Sequence, residues 1–150
     1  MNIPDERAAI VAEAKTWIGT PFHHGARIKG AGVDCAQLLL ACYGDHGPLG
    51  PVDVGDYPPD WFLHQDRERL LEWIHAFCAP VNSDGLQPGD IALFRYGRGV
   101  SHASIVLELG PPIVVAHSFA RLGVTTSEVG PTHHLGSRLV GYYTLKRWRA

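Results

Sequence analysis

Residues 101–117 read Ser101-His102-Ala103-Ser104-Ile105-Val106-Leu107-Glu108-Leu109-Gly110-Pro111-Pro112-Ile113-Val114-Val115-Ala116-His117. Two β-rich apolar runs flank a connection at 108–112 that is rich in turn formers. So short a connection predicts an antiparallel hairpin, in which the start of the first strand lies beside the end of the second. His102 opens the first strand and His117 closes the next, so both fall at one end of the hairpin. Whether they share a face depends on the register of the turn, which the residues alone leave open.

Similar runs flank this hairpin. Ile91-Ala92-Leu93-Phe94 precedes it, Leu139-Val140-Gly141-Tyr142-Tyr143 follows it, and a weaker strand is expected from Gly123 to Val129. The first half of the chain has helical periodicity instead. Ile3, Ile10, Val11, Ala14, Trp17 and Ile18 predict a helix over 4–18, with Asn2 as cap, Pro4 in the first turn and Asp5 and Glu6 at the positive end. Four glycines and a proline make 19–33 a shaped loop. Asp34 then caps a second helix carrying Cys35, Leu38, Leu39, Leu40 and Cys42, ended by Gly44 and Gly47-Pro48. A turn-rich excursion at 47–60, a helix over 61–78 (Phe62, Leu63, Leu70, Trp73, Ile74, Phe77) and further turns at 79–90 complete the half. Helices first and strands after predict an α+β fold, with N-terminal helices packed on a small antiparallel β-sheet. A chain of 150 residues fits a single domain, 1–150, with 44–86 as an irregular and helical insertion.

Composition narrows the function classes. Apolar residues are 45 % and charged residues 19 %, an ordinary globular balance, and the net charge is -2. Lys146, Arg147 and Arg149 form the one basic cluster, so no nucleic-acid partner is expected. No apolar run approaches the ~20 residues of a membrane span, so no membrane insertion is expected. The N-terminal residues carry no apolar signal core, so the expectation is synthesis in the cytoplasm without a signal peptide. Three irregularly spaced cysteines argue for reduced thiols rather than a disulfide framework.

Cys35 stands in the first turn of its expected helix, where unpaired N–H groups and the helix dipole favour a thiolate and can hold an oxyanion. His102, rigidly held at a strand start, suits a general base. His117 beside it can orient the imidazole, the role of a third triad member. Read singly, Cys35 is better explained as a small buried hydrophobe and His102 as a surface residue at a strand start. Cys42, two turns from Cys35 along one helix face, and Cys78 read as buried packing, and His46, His64, His75, His133 and His134 as surface. Asp53, Asp56 and Asp60 read as a solvated loop without calcium-loop spacing. The pairs His23-His24 and His133-His134 raise a metal site as a competing reading. Adjacent histidines in a strand face opposite ways, however, and no His-Glu-x-x-His or Cys-x-x-Cys spacing occurs, so no metal and no cofactor is expected.

Gly19-Thr20-Pro21-Phe22, Gly32-Val33-Asp34-Cys35, Pro88-Gly89-Asp90-Ile91, Ser101-His102 and His117, in that order, resemble the NlpC/P60 cysteine peptidases over most of the chain outside 44–86. The His-His loop and the wording from Trp17 to Lys29 resemble the subgroup encoded with phage tails and gene-transfer agents. The resemblance implies a papain-like core and cleavage of peptidoglycan stem peptides between D-glutamate and a diamino acid. It places the nucleophile on Cys35, the base on His102 and the third polar residue on His117. His24, Asp34 and Ser101 follow as substrate-binding or oxyanion residues. It also implies peptidoglycan peptides as partners, tail proteins as assembly partners, and action in the periplasm after delivery by a tail.

Two positions depart from the pattern. The family's Asp-Cys-Ser-Gly is Asp34-Cys35-Ala36-Gln37 here, which removes a serine that helps recognise a free amino end. A tyrosine of the family's Pro-Tyr-x-Tyr-Gly-Gly loop is replaced by His24. The expected mechanism is acyl transfer through a thioester, with a Cys35 thiolate paired to a His102 imidazolium. Two alternatives stand beside it. One is a structural or docking component of a tail-like assembly that keeps the fold with little turnover, with Trp61, Phe62 and Trp73 as docking surface or core. The other is a CHAP-type cell-wall amidase, which shares the Cys-then-His order.

Overall fold

The computed structural model describes residues 1–52, 69–97, 99–130 and 134–149. Its helices are α1 (Ile3–Thr16), α2 (Cys35–Leu39), α3 (Arg69–Phe77) and α4 (His134–Arg138). A two-stranded ribbon, β1 (Arg27–Ile28) and β2 (Gly32–Val33), lies within the shaped loop. The main sheet holds β3 (Cys78–Val81), β4 (Ile91–Tyr96), β5 (Gly99–Glu108), β6 (Ile113–Phe119), β7 (Gly123–Val129) and β8 (Leu139–Leu145) in the order β3-β8-β4-β5-β6-β7, every pair antiparallel. The α+β expectation therefore holds, and the hairpin at 101–117 forms its centre as β5 and β6.

Alternation along the strands makes two apolar layers. Ile91, Leu93, Ala103, Ile105, Leu107 and Ala116 face Ile10 and Ala14 of α1, Trp17 just after it, Leu38 of α2 and Ile74 of α3. Ala92, Phe94, Val106 and Val115 face the other way, where Leu86 and Leu135 of α4 cover them. The N-terminal helices do pack on one side, as expected. The short helix α4 on the other side was not foreseen.

Local differences from the sequence reading have physical causes. Asn2 caps α1, its side chain accepting from Asp5 N at 2.9 Å, but the helix ends at Thr16, and Ile3, its first residue, and Ile18, beyond its end, are exposed rather than core. The second helix begins as expected but passes into a π-helical stretch at Leu40–Asp45 before it ends. Cys78 does not end a helix. It begins β3, inside the stretch expected to be turns, and pairs with Leu145. Pro80 hid this strand, and β3 is an edge strand, where a missing N–H is tolerated. Cys42 and Cys78 are buried as packing, Trp73 lies against the core, and His46 and His75 are at the surface, as expected. The expectations for Trp61, Phe62, Leu63, His64, His133, Asp53, Asp56 and Asp60 fall outside the described residues.

The Pro88-Gly89-Asp90 motif is an anchor. Asp90 is fully buried, and Arg7 of α1 donates to its Oδ1 at 2.8 Å while also reaching the Pro88 carbonyl and Thr144 Oγ1. Tyr43 donates to the Gly89 carbonyl at 2.6 Å. The motif thus ties α1 and the π-helical stretch to the start of β4. Asp90→Ala strands the Arg7 cation among its remaining partners and is expected to lower the unfolding free energy by about 3 kcal/mol. Chemical denaturation of the two proteins measures it; an unchanged midpoint would remove the anchor role.

Candidate active site

Cys35 begins α2 because Asp34 makes the cap. Asp34 is extended, and its Oδ1 accepts from Gln37 N at 2.8 Å, an arrangement worth about 1 kcal/mol to a helix start. Its Oδ2 accepts from Gly25 N at 2.7 Å, which ties the loop before β1 to the same point. Ser118 Oγ, at the end of β6, donates to the Val33 carbonyl at 2.7 Å. The helix start is thereby fixed to the strand that carries His117. The Thr20–Pro21 turn rests on β7 through Val124 N to Thr20 O at 2.8 Å. A Cβ at Gly123, where φ is +72°, would run into the Thr20 carbonyl oxygen, so this close approach needs glycine.

The bases come from the sheet. Phe94 pairs with His102 but Arg95 with Val100, so Ser101 is an extra residue in β5. Such a bulge re-aims the neighbouring groups. The Ser101 carbonyl accepts from the Cys35 thiol at 3.5 Å. Val106 pairs with Val115, and counting by twos from that pair puts both His102 and His117 on the Val106–Val115 face. The face that the sequence left open is therefore shared. His102 Nε2 lies 2.7 Å from His117 Nδ1, and His117 Nε2 lies 2.8 Å from Ser127 Oγ on β7. The His102 ring is packed edge-on by Tyr96 and Phe119, at centroid distances of 5.5 and 5.4 Å.

His24, Asp34, Cys35, Ser101 and His102 all line one cavity of about 190 Å³, together with Ser118. Its aromatic walls are Phe22, Tyr96 and Phe119. His117 stands behind His102 and is buried. The structure thus brings together all six residues singled out in the sequence. Ser127, Tyr96 and Phe119 were missed. The polar alternation of Thr125 and Ser127 on a weakly foreseen strand was the one available signal for Ser127. His24 Nδ1 is 4.0 Å from Asp34 Oδ2, so its ring stands over the helix cap. Ala36 lines a separate apolar cavity with Leu39, Tyr43 and Ile91.

The electrostatics differ from expectation. Burial, aided by the Asp34 carboxylate, pushes the Cys35 thiol up to about 12, against weaker help to the thiolate from the N–H groups of Ala103, Ala36 and Cys35. Burial, then the neighbouring His117 and His134, hold His102 well below the usual histidine value. The expected thiolate–imidazolium pair is therefore a neutral thiol and a neutral imidazole at rest. Burial and the capping carboxylate outweigh the short helix's dipole.

The arrangement of helices and antiparallel sheet that carries this cavity also occurs in solved structures. A protein similar to a lipoprotein of the NLP/P60 family from Staphylococcus aureus subsp. aureus Mu50 superposes with a TM-score of 0.63 at 19 % identity, over 97 % of this chain and 42 % of that one. An NlpC/P60 family protein from Bacillus cereus ATCC 10987 does so with a TM-score of 0.63 at 21 % identity, over 91 % of this chain and 39 % of that one. The chain has the NlpC/P60 fold. It spans about two fifths of the length of these two structures. No protein-family model matches the chain, and no curated protein matches it. Within the NlpC/P60 fold, the Pro-Gly-Asp motif is the Arg7 anchor, while the Asp34-Cys35 and Ser101-His102 motifs meet at the cavity.

Proposed function

We propose that the chain is a cysteine peptidase that hydrolyses amide bonds in peptidoglycan stem peptides through a thioester. One observation carries the reading: Cys35 and His102 line the same cavity, and the outer nitrogen of His102 is held by His117 at 2.7 Å. With Nε2 engaged, His102 keeps Nδ1 to take the thiol proton. Attack requires the thiol hydrogen to leave the Ser101 carbonyl for that nitrogen, and catalytic hydrogen bonds of this kind commonly tighten once substrate is bound. The sulfur then adds to the amide carbonyl, and the N–H groups of Cys35 and Ala36 near it receive the oxyanion. His102 returns the proton to the leaving amine and next activates water. Phe22, Tyr96 and Phe119 give the site apolar walls, and His24 and Asp34 are placed to meet the polar end of a peptide.

The bond cut under this reading is that between D-glutamate and the diamino acid, the family's usual one. Delivery by a phage or gene-transfer-agent tail, with tail proteins as partners, completes the proposal on the strength of the Trp17–Lys29 wording. Mass spectrometry of digested muropeptides tests the bond. A new amine on the diamino acid supports it, whereas release of the peptide from the muramic lactyl group would make the chain a CHAP-type amidase.

A second reading is favoured by the low exposure of the nucleophile, 7 %, and by its neutral thiol. It is a tail component that keeps the fold with little turnover. Iodoacetamide separates the two. The peptidase reading expects Cys35 to be alkylated about tenfold faster than Cys42 or Cys78 in the folded protein, since all three are buried and Cys35 shares its cavity with the His102 base. Equal labelling would favour the structural reading.

A further inference from the structure

Beyond the Cys35–His102–His117 set, we propose that Ser127 is a positioning residue that sets the tautomers of both histidines and so keeps His102 Nδ1 ready to accept a proton. The inference rests on the peptidase reading above. A base at Nδ1 of His102 must carry its own hydrogen on Nε2. That N–H donates to His117 Nδ1 at 2.7 Å, so Nδ1 of His117 is bare and its hydrogen is on Nε2. Ser127 Oγ, 2.8 Å from His117 Nε2, is placed to accept that hydrogen. Ser127 is only half-buried, so its own hydroxyl hydrogen can turn to solvent and leave a lone pair toward the ring.

The register explains the spacing. His117 pairs with Thr125 and Val115 with Ser127, so Ser127 is the diagonal neighbour of His117 on one face, within reach of a long side chain. The line from His102 through His117 to Ser127 therefore crosses three adjacent strands, each step a side-chain contact. Without the Ser127 hydroxyl, His117 Nε2–H loses this acceptor and the opposite tautomer becomes more competitive. In that tautomer His117 Nδ1 donates to His102 Nε2, the His102 hydrogen moves to Nδ1, and the proton acceptor facing the cavity is lost. Other groups that bear on the pair are Cys35 from α2, Tyr96 from β4 and His134 from α4, with His24 and Asp34 at the cavity wall.

Ser127→Ala and Ser127→Thr test this, with three readouts. Ring-nitrogen NMR reads the tautomers, the rate of Cys35 alkylation reads the base without substrate, and steady-state kinetics on muropeptides read kcat and KM. Ser127→Ala is expected to move His102 toward the Nδ1-protonated form, and to lower both alkylation and kcat about tenfold at constant KM. Ser127→Thr, which keeps the hydroxyl on a strand, is expected to restore all three. Wild-type tautomers and rates in Ser127→Ala would overturn the proposal, as would a loss in Ser127→Thr equal to that in Ser127→Ala. If instead wild-type Cys35 labels no faster than Cys42 and Cys78, and His117→Ala changes no rate, the peptidase reading itself fails and takes the role of Ser127 with it.

Discussion

Cys35→Ser is expected to lower muropeptide cleavage by at least about 10⁴-fold, the scale on which loss of a nucleophile falls, while the protein keeps its thermal stability. The substitution is nearly isosteric, and the hydroxyl can still donate to the Ser101 carbonyl that the thiol contacts at 3.5 Å. The helix cap is untouched, because it belongs to Asp34. Only the nucleophile changes, and a serine hydroxyl in this buried place is a far poorer one than a sulfur with a base beside it. Cleavage assayed with the melting temperature of the same preparation decides it. Turnover at the wild-type rate would remove Cys35 from the chemistry and return it to the core.

Much of this site was legible because it is local. The Asp34 cap and Cys35 position follow from a few adjacent residues, and the hairpin end that joins His102 and His117 follows from one short turn. The shared face did not follow, since it depends on the strand register, and the Ser101 bulge that aims a carbonyl at the thiol has no sequence mark. Ser127 lay beyond reach for the same reason: its contact needs the register of a third strand. The edge strand at Cys78–Val81 was masked by Pro80, and the π-helical stretch after Leu39 by a periodicity that still reads as α-helical. The protonation state could not be read either. Sequence shows that a cysteine opens a helix, but not that the chain buries it next to the carboxylate that caps the same helix.

That protonation state makes the second large effect. A thiol held up at about 12 is ionised in only about one molecule in 10⁵ at pH 7, so reactivity there depends on a base that accepts the proton during attack. His102→Ala is therefore expected to lower kcat about 10²- to 10⁴-fold, and to make Cys35 alkylation climb with pH through the alkaline range as hydroxide replaces the base. Added imidazole is expected to recover part of the rate, because the lost ring leaves a space walled by Tyr96 and Phe119. Recovery would not occur in a misfolded protein, so the rescue separates a missing base from a collapsed sheet. The sign in the wild type follows from the same burial. His102 titrates below its ordinary 6.5, so the base stays neutral there, and the acid limb of kcat against pH is expected below 6.5. An acid limb above that value, or a His102→Ala protein with wild-type kcat, would mean that another group accepts the Cys35 proton.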